Sequence, residues 1–80
     1  MEHLKLRGRS ILIVENEPLI AMDISLALEK AGASATITTT VRHALILVEH
    51  DGLSAAIMDH ALNDGDSTDL CKRLKSRGIP

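Results

Sequence analysis

The apolar residues of the chain follow two periods in alternation, one typical of strands and one typical of helices. Residues 11–14 form a short apolar run that is largely β-branched, which predicts a strand buried on both faces. Residues 19–31 carry apolar side chains three and four positions apart, which predicts an amphipathic helix that begins at Pro18 and ends before Gly32. The predicted apolar stripe of this helix is Ile20, Ile24, Ala27, Leu28 and Ala31.

The same alternation of strand and helix occurs twice more. Residues 33–38 alternate small apolar and polar side chains, which predicts a strand with two unlike faces near a sheet edge. A helix follows Thr39 or Thr40, and residues 53–58 form a second strand of the buried type that runs into Asp59. A third helix starts at Asp66 or Ser67 and ends at Gly78, and residues 79–80 would begin another strand. The apolar contacts of the last two helices are predicted to be Val41, Ala44, Leu45, Val48, Leu70, Cys71 and Leu74.

Strands that alternate with helices predict an α/β fold, with a parallel sheet, right-handed crossovers and helices on both faces. The 80 residues allow one small domain, which we divide into a charged amino-terminal extension, residues 1–9, and three strand–helix units, residues 10–80. No segment has the roughly 20 apolar residues that span a bilayer, and the charged start is no secretory signal. These features predict a cytoplasmic protein that has no contact with a membrane.

Composition and charge narrow the range of functions. The net charge of −2 and the absence of Phe, Tyr and Trp argue against a nucleic-acid-binding domain. Basic residues cluster near both ends of the chain, where solvated side chains are the expected interpretation and a phosphate-binding surface is the alternative. Cys71 is the only cysteine, so no internal disulfide can form, and a partly buried, inert thiol is expected.

Polar residues follow two of the predicted buried strands at the point where each strand ends. Glu15 and Asn16 follow the first strand, and Asp59 follows the third. If these strands are neighbours, the three side chains meet at the sheet edge where ligands of open α/β sheets bind. Carboxylate and amide oxygens suit Mg²⁺, and a carboxylate there can attack phosphorus to form an aspartyl phosphate. The alternatives are plain strand-end residues, or a small hydrolase, for which no general base or oxyanion donor can be identified.

The run Ile11-Leu12-Ile13-Val14-Glu15-Asn16-Glu17-Pro18 resembles the opening of a bacterial response-regulator receiver domain, as does Ala56-Ile57-Met58-Asp59 followed by Leu62 and Asp64-Gly65. The spacing of the two motifs is also similar. The resemblance implies a flavodoxin-like fold, truncated after the third helix, in two-component (phosphorelay) signalling. It implies that Asp59 accepts a phosphoryl group from a histidine kinase or phosphotransfer protein. It also implies Mg²⁺ held by Glu15, Asn16, Asp59 and the backbone carbonyl of Ala61.

Two departures from this family pattern lead to further expectations. Asn16 stands where the family usually has a second acid, so we expect weak Mg²⁺ binding. The fourth and fifth strands and their functional residues are absent, so the third strand should form an exposed edge through which chains self-associate. The predicted function is therefore a phosphoacceptor module that is not itself an enzyme. The alternative is a degenerate or truncated receiver that dimerises or binds a protein partner without phosphorylation.

Overall fold

A computed structural model describes residues 5–50, 52–58 and 67–80 of the chain. Strands and helices alternate along the chain, as predicted. The elements are β1 (Ser10–Val14), α1 (Pro18–Lys30), β2 (Ser34–Thr38), α2 (Val41–His50), β3 (Ala55–Met58) and α3 (Ser67–Ser76).

The described strands form one parallel sheet with the order β2-β1-β3. Val14, the last residue of β1, lies opposite Thr38 on one side and Met58 on the other. This arrangement confirms the predicted α/β fold of the flavodoxin-like type, the position of β2 at a sheet edge, and the adjacency of β1 and β3. The prediction that a domain boundary separates residues 1–9 from residues 10–80 stays a prediction.

One face of the sheet carries the main hydrophobic core. Leu12 and Val14 project from this face of β1 and are fully buried, since alternate residues of a strand point to the same side. Helices α2 and α3 pack over them, with the predicted apolar positions of α2 inside. The buried members of this cluster are Leu12, Val14, Val41, Ala44, Val48, Leu70, Leu74 and Ile79.

Helix α1 covers the opposite face of the sheet, where it contacts β1 and β2. The stripe predicted for α1 is wrong in part: Ile20 is 48% exposed and Ala27 is exposed, whereas Ala21, which was not predicted, is buried. The helix carries apolar side chains on most of its circumference, so its sequence does not single out one face. It leaves the outer strands of this face partly open, with Ile37 and Ile57 exposed by 42% and 38%.

Two glycines end helices in the way that the sequence predicts. Gly32 follows α1 and Gly78 follows α3, with φ values of 98° and 71°, which a glycine adopts without steric cost. The prediction for Cys71 is wrong, because this residue is exposed on α3 beside the buried Leu70.

An ion-pair cluster joins the two helices that share the main core. Glu49 on α2 accepts a hydrogen bond from Nε of Arg73 on α3, and its second oxygen lies 3.6 Å from Nη1 of Arg77. The hydrogen bond and charge of Glu49 raise the pKa of the Arg73 guanidinium above its usual value. The three side chains are 35–48% exposed, so these ion pairs contribute little to the stability of the fold.

The outer edge of β3 is not wholly bare. The backbone N–H of Ala56 donates a hydrogen bond of 3.1 Å to the carbonyl oxygen of Pro80, which pairs this part of the edge. Residues 79–80 were predicted to begin another strand; they form this one bond to β3 but are not a strand of the described sheet. Within residues 5–50, 52–58 and 67–80, no helix combines the length and the apolar content that a membrane crossing requires.

Candidate functional site

Glu15 lies directly after β1, at the edge of the sheet where the strands end, which we call the carboxyl edge. Its backbone N–H donates to the carbonyl oxygen of Thr38 at 3.0 Å, which continues the pairing of β1 with β2 by one residue. The side chain is buried, and its Oε1 accepts a hydrogen bond of 2.9 Å from the backbone N–H of Glu17. This bond fixes the carboxylate at the entrance to α1.

Asn16, the second predicted ligand, is exposed in the same connection. A buried carboxylate beside an exposed amide supplies oxygen donors of the kind that Mg²⁺ accepts. The donor chemistry of these two residues therefore fits the predicted ion. Among the described residues there is no group of three His, Cys, Asp or Glu side chains that could hold a metal.

Asp59 and Ala61, the remaining predicted site residues, lie outside the described residues. The nearest described residue is Met58, which lies opposite Val14 in the parallel register of β3 and β1. Neighbouring strands lie about 4.8 Å apart, so the carboxyl ends of β1 and β3 are adjacent. The condition that the sequence prediction set for a shared site, that these two strands are neighbours, is met.

The helices present their amino termini at the carboxyl edge. Each crossover in a parallel sheet returns the chain against the strand direction, so α1 and α2 begin where β1 and β2 end. The unpaired N–H groups and the positive end of the helix dipole favour negative charge near these positions. The amino termini of α1 and α2 therefore lie at the same edge of the sheet as the Glu15 carboxylate.

A hydrogen bond beside Glu15 was not predicted from the sequence. Oγ1 of Thr38, a buried residue, and Nδ1 of His43 are hydrogen-bonded at 2.9 Å. The backbone N–H of His43 donates to Oγ1 of Thr40, which caps α2. These bonds connect the end of β2, which holds the Glu15 backbone, to the first turn of α2. Only the Thr40 cap had a sequence signal, namely a threonine immediately before an apolar helical repeat.

A parallel β/α alternation with order 2-1-3 and an acidic carboxyl edge is the arrangement of the amino-terminal part of a response-regulator receiver domain. The chain is similar in sequence to the sensory transduction protein RegX3 of Mycobacterium tuberculosis strain H37Rv and of Mycobacterium bovis, with 35% identity over 68 residues in each case. It has the same identity to RegX3 of Mycolicibacterium smegmatis. These findings confirm the resemblance that the two sequence motifs indicated.

The sequence similarity to RegX3 covers most of this chain but only a minor part of each relative. The aligned region covers 85% of this chain and 30% of each relative, so the chain spans less than a third of the length of the curated relatives it matches. No protein-family model matches the chain.

Proposed function

We propose that this chain is a receiver module of two-component signal transduction that accepts a phosphoryl group on Asp59. The observation that carries the proposal is the parallel pairing of Val14 with Met58 at the ends of β1 and β3. The residues that follow these two in the sequence are Glu15 and Asp59. The similarity to sensory transduction proteins supports a role in signalling, and a histidine kinase or phosphotransfer protein is the proposed donor. A cytoplasmic location is part of the same proposal.

The proposed reaction moves one phosphoryl group. A carboxylate oxygen of Asp59 attacks the phosphorus, the P–N bond of the donor phosphohistidine breaks, and the bond's electrons remain on the imidazole. Glu15, Asn16, Asp59 and the Ala61 carbonyl are the proposed ligands of Mg²⁺, which when bound would neutralise charge on the transferring group. The buried Glu15 carboxylate is held by the Glu17 N–H, so the chain itself fixes one ligand in advance. The chain is the acceptor in this reaction, and no turnover activity is proposed for it.

Uptake of a phosphoryl group from a small-molecule donor tests the proposal. We expect incubation with acetyl phosphate and Mg²⁺ to add the mass of one phosphoryl group to the intact chain, because the proposed nucleophile Asp59 and the proposed Mg²⁺ ligands are all present in it. Asp59→Asn should abolish this addition. Asp23→Asn, an exposed acid in the middle of α1, is the matched control and should behave as wild type. The proposal fails if the wild type gains no phosphoryl group, or if Asp59→Asn still gains one.

A second candidate function is a dimerisation module that works without phosphorylation. An apolar groove runs beside the edge strand β3 and is lined by residues of β3, α3 and the segment after α3. Ile57 on this strand is also partly exposed on the opposite face. Beyond the Ala56–Pro80 bond, the apolar edge strand offers backbone groups and apolar surface to a second strand, and a second copy of this chain is the proposed occupant.

A lysine on β3 tests this second candidate. Ile57→Lys is expected to convert a concentration-dependent dimer to a monomer, because a charge on an edge strand opposes strand addition. The readout is the mass from light scattering over a wide range of protein concentrations. Ile37→Lys is the matched control, since Ile37 is similarly exposed and lies on the other outer strand. Contact through β3 would be ruled out if the wild type is monomeric at every concentration. It would also be ruled out if Ile37→Lys dissociates the dimer and Ile57→Lys does not.

A further inference from the structure

The backbone bond that holds Glu15 to β2 lies at the open end of the sheet. Val14 and Thr38 are the last pair in the register of β1 and β2, and the bond from the Glu15 N–H to the Thr38 carbonyl oxygen follows them. Hydrogen bonds at the end of an element open most readily, because few contacts beyond them oppose local unfolding. The position of the Glu15 backbone therefore depends on what holds Thr38 in place.

The side chain of Thr38 is held by helix α2. Thr38 is the register partner of Val14, which projects into the main core on the face of the sheet that α2 covers. Its hydroxyl group, on a residue that is only 3% exposed, is hydrogen-bonded to Nδ1 of His43 at 2.9 Å. The N–H of His43 in turn donates to Oγ1 of Thr40 at 3.1 Å. Two side-chain bonds thus fix the end of β2 to the start of α2.

We infer that Thr38 and His43 are positioning residues, whose hydrogen bond keeps the end of β2 closed and so holds Glu15 where it binds a divalent cation. The inference rests on the proposed function for the use of Glu15 as a ligand of Mg²⁺. Neither Thr38 nor His43 is proposed to touch the ion or the phosphoryl group. The Glu15 carboxylate accepts its own bond from the Glu17 N–H, so the backbone and the side chain of this ligand are held separately.

Metal binding and the order of α2 should be coupled in both directions. If the Thr38–His43 bond favours the conformation that binds the ion, a bound ion favours that hydrogen bond by the same free energy. The first turn of α2 should therefore become more ordered when Mg²⁺ binds, although no residue of α2 is a proposed ligand. Occupancy of the site would in this way change the order of a helix that packs on the main core.

Removal of the Thr38 hydroxyl tests the inference with two measurements. We expect Thr38→Val to speed hydrogen exchange of the Glu15 N–H, followed by NMR without metal, by about 2- to 10-fold, the usual net effect of one hydrogen bond. Calorimetric titration should show that Mg²⁺ binds more weakly by a similar factor. Valine suits a buried position in a strand, so the global unfolding free energy should be unchanged or higher. A role in general stability alone predicts instead that exchange and affinity follow the unfolding free energy.

Substitution of His43 repeats the test from the other side of the bond. His43→Ala should show the same two losses, although alanine favours the helix more than histidine does. His43→Asn should restore part of both, because its side-chain oxygen is attached to Cγ, as Nδ1 is in histidine. The double variant Thr38→Val with His43→Ala should lose no more than either single variant, since both remove one bond.

Two further measurements complete the design. Thr36→Val is the matched control, because it makes the same change on an exposed residue of β2, and its exchange and affinity should equal those of the wild type. Addition of Mg²⁺ should slow exchange of the His43 N–H in the wild type and have less effect in Thr38→Val. His43→Ala changes an exposed residue, so it gives the same readings if Thr38→Val does not fold.

The outcomes separate this inference from the proposed function. Wild-type protection of the Glu15 N–H and wild-type Mg²⁺ affinity in Thr38→Val would overturn the inference, whether or not the chain takes up a phosphoryl group. Equal losses in Thr36→Val would overturn it too, because the effect would then not come from the bond to His43. A wild type with no measurable Mg²⁺ affinity would also overturn it. A chain that gains no phosphoryl group, but in which Thr38→Val weakens Mg²⁺ binding, would contradict the proposed function alone.

Discussion

Replacing Leu70 with alanine is expected to destabilise the fold by about 2–5 kcal/mol, the usual cost of truncating a fully buried leucine. Leu70 is completely buried on α3, in the cluster that joins α3 to α2 and to β1. Truncation removes apolar contacts and leaves a cavity that the short helix cannot fully close. Since α3 contacts the rest of the chain through few buried side chains, we expect this helix to detach first.

The size of this loss matters because the chain is short. Stabilities of about 0.05–0.15 kcal/mol per residue give an 80-residue chain only about 4–12 kcal/mol in total. Urea unfolding followed by circular dichroism should therefore show a much lower midpoint for Leu70→Ala, or no folded baseline. Leu19→Ala is the matched control, because Leu19 is 74% exposed and its truncation should change the midpoint little. Equal midpoints for Leu70→Ala and the wild type would mean that α3 is not packed as described.

The sequence predicts best those elements whose apolar pattern fits only one position in the fold. The continuous apolar run before Glu15 has one satisfactory position, in the centre of a parallel sheet, and β1 lies there. The alternating segment that ends at Thr38 predicts an edge strand, and β2 is one. In α2, Val41, Ala44 and Val48 recur three and four positions apart and are buried as predicted, whereas the apolar Ile46 between them is 53% exposed.

Contacts between side chains on different elements could not be predicted from the sequence and are seen only in the tertiary structure. Helix α1 is apolar on several sides, so its sequence allows more than one rotation about the helix axis, and packing against β1 and β2 decides in favour of Ala21. The Thr38–His43 bond joins residues on two different elements, and no local pattern indicates it. The sequence places Glu49 and Arg73 on neighbouring helices, but it does not say that these two positions face each other.

In the candidate site, too, the sequence predicts where residues lie along the chain but not the hydrogen bonds that their side chains form. The sequence predicts that Glu15 and Asn16 lie at the carboxyl edge, because they are the first two residues after β1, whose position is well determined. The hydrogen bond from the Glu17 N–H to Glu15 depends on how the chain turns into α1, which no periodicity indicates. Asp59 and Ala61 lie outside the described residues, so their part in the site stays a prediction that the chemical tests must examine.

Replacing Asn16 with aspartate is expected to strengthen Mg²⁺ binding by at least about tenfold, which corresponds to about 1.4 kcal/mol. The change replaces a neutral oxygen donor by a charged one next to Glu15, at an exposed position where the larger charge stays hydrated in the free chain. Two unit charges 4 Å apart interact by about 4 kcal/mol near a protein surface, and an ion of charge two interacts more strongly. Desolvation of the carboxylate and of the ion cancels part of this gain, so a tenfold increase is a lower expectation.

The same change should make the variant less stable than the wild type without Mg²⁺ and more stable than the wild type with Mg²⁺. Without Mg²⁺, the new carboxylate lies beside Glu15 and repels it, so Asn16→Asp should unfold at a lower urea concentration than the wild type. With Mg²⁺ in excess, tighter binding to the folded state stabilises the variant by mass action, and its midpoint should rise above that of the wild type. Asp23→Asn, away from the carboxyl edge, serves as the control for a general effect of charge on metal binding. Unchanged Mg²⁺ affinity in Asn16→Asp would remove residue 16 from the metal site, because a direct ligand cannot gain a full negative charge without altering the binding of a divalent cation.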